Sequence, residues 1–282
     1  MQVSAIGLAV AHKLGIVGVP GRMAARVVAL IAEEPALQLA VALGRADDPM
    51  LGKDSGEAVG AGKNGVPIEA FLPAHFARAD VWLEFAHASA TDATIAAARQ
   101  AKKPLLVCTT GLEPKTLRAL RAAAADIPVM HAANTSLGVA VLNAALRLCV
   151  QALGESYVAE VVELHHDKKK DAPSGTAMRL VETIKDARGG KTVTGRDGIV
   201  GERKREEIGV FAVRGGNVIG EHTVYLFGEN DRIELTHRAA SRDLFATGAL
   251  RTVAWLAGRA AGLYTIEDSL GLTPPASHKG SP

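Results

Sequence analysis

A chain of 282 residues, 48% of them hydrophobic, can bury a core large enough for two domains. Its 32 basic and 30 acidic residues leave a net charge of +2, too near balance for a general nucleic-acid binder. The two cysteines, Cys108 and Cys149, lie in the apolar runs LLVCTT and LRLCVQA. They read as buried free thiols, and without a C-x-x-C pair they argue against zinc or redox chemistry.

The opening stretch, MQVSAIGLAVAHK, is apolar but lacks the early positive charge and small-residue cleavage site of a signal sequence. Residues 1–13 therefore read as an extra N-terminal segment or as a start site set too far upstream, and the chain is expected in the cytoplasm. No apolar run approaches the roughly 20 residues that cross a bilayer, so no membrane partner is expected.

The first half alternates short apolar runs with helical periodicity, the pattern of βαβ units and a parallel sheet. LGIVGV (14–19) predicts a buried strand. Residues 21–34 predict a helix with Met23, Val27, Val28 and Ile31 on its apolar face. Strands follow at LQLAVALG (37–44), ADVWLEFA (79–86), PLLVCTTG (104–111) and IPVMHAAN (127–134). A helix over 91–102 and another after residue 111 complete a doubly wound α/β domain, assigned to residues 1–136.

The pattern then changes. LGVAVLNAALRLCVQAL predicts one long helix, and VAEVVELHH (158–166) a strand that runs into the helix SGTAMRLVETIKDA. EIGVFAVRGG, VIGEHTVYLFG and DRIELTHRAA alternate and adjoin Gly or Asn-Asp turns, which predicts an open mixed or antiparallel sheet in a second domain, 137–244. FATGALRTVAWLAGRAAG (245–262) predicts a helix returning to the first domain, before a disordered tail, PPASHKGSP, within 245–282.

Two stretches carry chemistry. Gly18-Val19-Pro20-Gly21-Arg22-Met23-Ala24 joins the first strand to the first helix. Glycines there let backbone approach a pyrophosphate while helix N–H groups face it, although Pro20 removes one donor and a plain packing turn is the competing reading. The next strand ends Ala42-Leu43-Gly44-Arg45, with no carboxylate for ribose hydroxyls and a guanidinium suited to a 2′-phosphate. NADPH is favoured over NADH on that basis, against the alternative that Arg45 is a solvated loop charge.

The second stretch is ELHHDKKKDAPSGTA, residues 163–177. Metal binding is disfavoured because adjacent histidines at a strand end face opposite ways, and no H-E-x-x-H or cysteine partner is present. A nucleic-acid patch would interleave aromatics with the lysines. A solvated loop remains open, but the helix beginning near Ser174-Gly175-Thr176 adds an anion pocket beside the cationic side chains. A small polyanionic substrate held by its carboxylates accounts for both.

HHDKKKDAPSGTA closely resembles the signature of bacterial 4-hydroxy-tetrahydrodipicolinate (dihydrodipicolinate) reductases, enzymes of lysine and diaminopimelate synthesis. The resemblance runs from about Leu14 to Gly271 and includes GVPGRM, LGKDSGEAVGAG, VCTTGL, HAANTSLGV, RGGNVIGEHTV and ELTHRAASRDLF. It implies a Rossmann-type domain, an α+β substrate domain with an open mixed sheet, NADH or NADPH as cofactor, a dicarboxylate substrate and a homotetramer. By the motif match, His165 corresponds to the catalytic histidine and Lys169 to the proton donor. His166, Lys169, Gly175 and Thr176 correspond to positions that hold substrate carboxylates. Gly18, Gly21, Arg22 and Met23 match the pyrophosphate turn, Arg45 the 2′-phosphate arginine and Phe85 an aromatic at the end of the third predicted strand. Thr109, Thr110 and Gly111 match the edge near the nicotinamide, and Ala133 and Asn134 begin the hinge.

The chain departs from the family pattern at Cys108, where Gly is frequent, at Glu84 for Asp, at Ala86-His87 and at Ala24 for a third glycine. Two other readings stay open: a Rossmann oxidoreductase acting on another amino-acid-derived acid, and a non-catalytic NADPH-binding sensor that has kept the fold.

Overall fold

The structure is a computed structural model that describes residues 11–272. Residues 1–10 of the expected N-terminal segment and the tail PPASHKGSP lie outside the described residues.

In chain order the first unit runs β1 (His12–Val17), α1 (Arg22–Leu30), β2 (Leu37–Gly44), a single helical turn α2 (Ser55–Ala58), β3 (Ile68–Ala70), β4 (Val81–Glu84), α3 (Ala88–Ala101), β5 (Leu105–Val107), α4 (Pro114–Ala123) and β6 (Pro128–His131). The second holds α5 (Leu137–Leu153), β7 (Val158–His165), α6 (Gly175–Arg188), β8 (Lys191–Thr194), β9 (Glu207–Arg214), β10 (Glu221–Phe227) and β11 (Arg232–Arg238). The chain then returns to the first unit with α7 (Asp243–Ala257), β12 (Gly262–Tyr264) and α8 (Ile266–Ser269). The boundaries between the two fall at Thr135/Ser136 and Arg242/Asp243.

The first unit is a seven-stranded sheet in the order β12-β6-β5-β4-β1-β2-β3, parallel throughout. The chain winds outward from β1 through β2 to β3, then from β4 through β5 to β6. Right-handed crossovers therefore put α1 on one face and α3 and α4 on the other. Strands buried on both faces read as near-continuous apolar runs, and Leu14, Ile16, Val41, Leu43, Leu105 and Leu106 are all fully buried. Each such side chain contributes about 1.5–3 kcal/mol by leaving water. Phe76 stacks on Trp82 with ring centroids 4.0 Å apart, and the indole N–H donates to the Phe76 carbonyl at 3.1 Å, so burying the tryptophan leaves no orphaned donor.

The second unit is a five-stranded sheet in the order β11-β10-β7-β9-β8. It is mixed: β10 runs antiparallel to β7 and β11, while β9 is parallel to β7 and β8. On β7 the residues Ala159, Val161, Glu163 and His165 face inward, and Val158, Glu160, Val162 and Leu164 alternate with them. Leu146, Val150, Leu180, Val181 and Ile184 of α5 and α6 close over the inward face. The other face carries half-buried Val162, Leu164, Phe211, Tyr225 and Phe227.

Several expectations change. β1 begins at His12, so His12 and Lys13 belong to the sheet rather than to an extra segment. The helix expected over 21–34 ends at Leu30 and tightens into a 3-10 turn, Ile31–Glu33. Cys108 is buried, but Cys149 is only half-buried, at the margin of the core that Leu142, Leu146 and Val150 of α5 enter and against which it packs. Together with the 3-10 turn after it, α5 forms a 20-residue helix that is long and apolar enough to cross a membrane, which corrects the expectation that no apolar run reaches that length. Its inner face is nevertheless that of a globular core helix: buried Asn143 accepts a hydrogen bond from Thr183 of α6 at 2.6 Å.

Candidate functional site

Two places gather the predicted residues, one in each unit. In the first unit the strand order reverses between β1 and β4, and the crevice beyond their carboxyl ends is where doubly wound sheets bind ligands. Gly18 directly follows β1 there with φ of +107°, a conformation that glycine adopts without penalty. A β-carbon on Gly18 would lie 2.7 Å from the Phe85 carbonyl oxygen, so only glycine lets the turn press against the end of β4. The Gly18 and Val19 amides both donate to the Leu43 carbonyl, at 2.8 and 3.0 Å, which ties the turn to the end of β2. Gly21 caps α1 with no side-chain hydrogen bond, so the first turn of the helix keeps N–H groups directed outward.

Beside this turn is a cavity of about 420 Å³ lined by Arg22, Met23, Phe85, Thr109, Thr110, Ala133 and Asn134, with Cys108, Ala132, Thr135 and Phe245 among its other walls. Seven predicted cofactor residues thus meet in one place. Met23, expected on the apolar face of α1, instead lines the cavity, while Ala24, Val27 and Val28 are the buried residues of the helix. Gly18, Gly21 and Gly111 are not among the lining residues, and Arg45 stands apart from them at the end of β2. Its guanidinium pairs with Asp47 at 3.3 Å, and both side chains are about three-quarters exposed, 76% and 77%. A carboxylate therefore does stand beyond β2, two residues past the position examined in the sequence.

Under the cavity wall, Glu84 is fully buried and accepts hydroxyl hydrogen bonds from Thr91 at 2.8 Å and Thr109 at 2.9 Å. Burial pushes its carboxyl above the ordinary carboxylate range, and the two hydroxyls only partly offset that. Burial, with Glu84 nearby, also pushes the Cys108 thiol well above its usual value, so it is protonated and inert at neutral pH. His87, another departure from the family pattern, caps α3 by accepting from the Ser89 amide at 3.3 Å.

In the second unit β7 delivers His165 to the inward face, where it is buried, while His166 is half-buried on the other side of the strand. The Ser174 hydroxyl caps α6 by accepting from the Ala177 amide at 3.2 Å. Gly175 follows, and nothing lies within 4 Å of where its β-carbon would sit, so the approach to the helix start is open. Lys169 reaches Asp171 at 2.9 Å and leaves one-fifth of its side chain exposed, and that ammonium holds the Asp171 carboxyl below its ordinary value.

Three residues absent from the sequence-based assignment complete this cluster. Glu163 is fully buried and receives His165 Nδ1 at 2.5 Å, the Ser174 amide at 3.0 Å and both arms of Arg214 at 2.8 and 2.9 Å. His222 on β10 packs edge-on against His165, ring centroids 5.2 Å apart. The Ser174 hydroxyl, which accepts from the Ala177 amide, also shares a hydrogen bond with His222 Nε2 at 3.1 Å. Burial, with His165 close by, pushes His222 down to about 4. For His165 burial again dominates and lowers the pKa; Glu163 pulls it up, and Lys169 and Arg214 push it down.

A 3-2-1-4-5-6 parallel order with a glycine turn at its switch point, joined in one chain to a second unit that carries a buried histidine and a lysine beside a helix start, is the architecture of a Rossmann-type oxidoreductase. Residues 12–135 match the family model described as dihydrodipicolinate reductase, N-terminus, and residues 138–270 the model described as its C-terminus. The 4-hydroxy-tetrahydrodipicolinate reductase of Syntrophotalea carbinolica is 43% identical over 264 residues, covering 92% of this chain and 99% of that protein. The enzyme of the same name from Halorhodospira halophila is 40% identical over 263 residues, covering 92% and 98%. Among solved structures, a dipicolinate-bound dihydrodipicolinate reductase from a Paenisporosarcina species superposes with a TM-score of 0.71 at 20% identity, covering 90% of this chain and 97% of that one, a likeness of fold. The chain belongs to the dihydrodipicolinate reductase family and is an oxidoreductase.

Proposed function

We propose that the chain carries out its family's reduction of 4-hydroxy-tetrahydrodipicolinate to tetrahydrodipicolinate in lysine and diaminopimelate synthesis, with NADPH preferred to NADH. The observation that carries this reading is the cluster at the start of α6. His165, His166 and Lys169 stand on the segment that leads from β7 into an open helix N-terminus, the arrangement a dicarboxylate needs.

The first unit fits a nicotinamide dinucleotide. Gly18, Gly21 and the start of α1 would hold its pyrophosphate, and Arg22, Met23, Phe85, Thr109, Thr110, Ala133 and Asn134 would surround it, with Gly111 ending the Thr109-Thr110-Gly111 edge beside the nicotinamide. Arg45 would take a 2′-phosphate, which competes easily for a guanidinium held only by an exposed aspartate. When bound, the dinucleotide would supply a hydride from its nicotinamide to the unsaturated ring left after the 4-hydroxyl departs as water, so that one hydride and one proton complete the reduction.

The remaining chemistry belongs to the second unit. His166, Lys169, Gly175 and Thr176 bind the substrate carboxylates, through side-chain N–H groups at the first two and through the helix start at the last two. The substrate dianion draws His165 toward its charged form, against the burial that keeps it neutral without substrate. Lys169 gives the proton that neutralises the charge left on the substrate by reduction, and His165 stabilises that charge beside it.

Assembly is a homotetramer, supported by the family resemblance and by the apolar second face of the five-stranded sheet, where Tyr225 and Phe227 stack 5.7 Å apart. The free thiols Cys108 and Cys149 suit the reducing cytoplasm, where this synthesis would run. Complementation tests the reading. A bacterium deleted for its own reductase of this step requires diaminopimelate; expression of this chain removes the requirement, and the Lys169→Ala variant does not. Continued dependence with wild-type chain present as soluble protein contradicts the assignment.

A further inference from the structure

Glu163 stands at the centre of the second-unit cluster, behind the start of α6, where its contact is with the amide of the capping Ser174. It lies two residues before His165 on β7 and faces the same way, fully buried. A carboxylate at such a position is costly unless its oxygens are satisfied. Here both are. Arg214, the last residue of β9, grips them as a fork at 2.8 and 2.9 Å, and the Ser174 amide adds a bond at 3.0 Å. Arg214 is itself anchored by donating to the Val213 and Asp171 carbonyls, each at 2.7 Å. Oε2, which accepts one arm of Arg214, also meets His165 Nδ1 at 2.5 Å.

We propose that Glu163, clamped by Arg214 and the Ser174 amide, is a positioning residue that holds His165 in the Nδ1–H tautomer and presents Nε2 as its working nitrogen. The assignment rests on the reductase reading for what Nε2 then does, and on geometry alone for the tautomer. An ionised carboxylate only accepts hydrogen bonds, so the shared proton sits on Nδ1 and Nε2 keeps its lone pair. Burial raises the Glu163 pKa, but Arg214, His165 and the Ser174 amide outweigh it and keep the carboxyl below its ordinary range. Gly220 leaves Nε2 unblocked: a β-carbon there would lie 3.0 Å from it. The other charged or titratable groups acting on the imidazole are Lys169 and Arg214, which disfavour its protonation, with the His222 ring packed edge-on beside it. Among the described residues Glu163 is thus the one group that favours the imidazolium. Without it, the substrate dianion would have to charge His165 unaided.

The test is long-range ¹H–¹⁵N correlation NMR of the full-length protein labelled at histidine, with His165→Asn used to assign the His165 ring. In the wild type the His165 Nδ1 proton is expected as one low-field resonance, with Nε2 at the shift of an unprotonated nitrogen. Glu163→Gln keeps the shape and removes the charge. It is expected to lower the His165 pKa further, to mix the tautomers, and to reduce kcat by between about 10- and 10⁴-fold with KM and NADPH affinity changed less than about 3-fold. Glu163→Asp keeps the charge at a longer reach and is expected to restore part of the pKa and of kcat. If the glutamine variant does not fold, the aspartate variant is compared with wild type, and an unmoved Nδ1 proton resonance overturns the proposal. An unchanged His165 tautomer and pKa in a folded Glu163→Gln protein also overturns it, whatever the fall in activity. Wild-type protein that shows the expected tautomer without turning over substrate would refute the reductase reading and leave the positioning role standing.

Discussion

Gly18 and Phe85 meet at the switch point of the parallel sheet so closely that a β-carbon on the first would stand 2.7 Å from the carbonyl oxygen of the second. The contact sets the floor of the glycine turn and ties it to the strand whose end lines the cavity. Gly18→Ala faces both that collision and a φ of +107°, which costs about 1–3 kcal/mol before any clash is counted. Urea denaturation should show at least that loss, and fluorescence titration should show NADPH binding weakened about 10-fold or more. Wild-type stability and affinity in Gly18→Ala would mean that the turn is looser than described.

Arg45→Ala separates the two cofactors. The exposed pair with Asp47 contributes little to stability, so the fold should be unaffected. A charge-assisted contact to a 2′-phosphate is worth about 1.5–3 kcal/mol, so NADPH affinity should fall about 10-fold or more and NADH affinity less than about 2-fold. An equal loss for both in calorimetric titration would remove Arg45 from the phosphate role.

Lys169→Ala tests the proton donor. General-acid catalysis contributes about 10²–10⁴-fold, and kcat should fall within that range while NADPH affinity stays at the wild-type value. Equal damage to turnover and to NADPH binding would make the lysine a structural residue.

His222 makes the fold sensitive to acid. Its pKa is lowered to about 4 by burial and by His165, helped by His237 and Lys169 and opposed by Glu163. A folded-state pKa below the unfolded value near 6.5 means that the unfolded chain binds the proton first. The stability tied to neutral His222 is therefore complete above about pH 6.5 and is lost as pH falls toward 4. The shift corresponds to about 3 kcal/mol. Unfolding free energies at pH 7 and pH 4 should differ by about that much more in wild type than in His222→Asn, and an identical pH dependence would show that His222 does not carry the effect.

The sequence was most legible where burial and period coincide. β2 over Leu37–Gly44 and α5 over Leu137–Leu153 are strong because every turn of the pattern packs on something. β3, β8 and β12 were not seen. They are edge strands of three or four residues, held by one neighbour's backbone, with at most one buried side chain to mark them. In the site, the contiguous motif placed His165, Lys169 and the start of α6. Glu163 left a signal that went unused, since the alternation of Ala159, Val161 and His165 puts it on the inward face, where a lone carboxylate needs a partner. That partner, Arg214, lies 51 residues away in a parallel strand, and no local pattern announces it. Phe245 reaches the cavity wall for the same reason, from a helix that rejoins the first unit after more than a hundred residues.

The most direct measurement is nicotinamide oxidation followed by absorbance, with substrate made in situ by dihydrodipicolinate synthase from pyruvate and aspartate semialdehyde. NADPH and NADH are run in parallel. Oxidation that requires the synthase and is faster with NADPH is the predicted result. Absence of oxidation with either cofactor, in protein that binds NADPH, would contradict the assignment and leave the His165–Lys169 cluster in need of another anion.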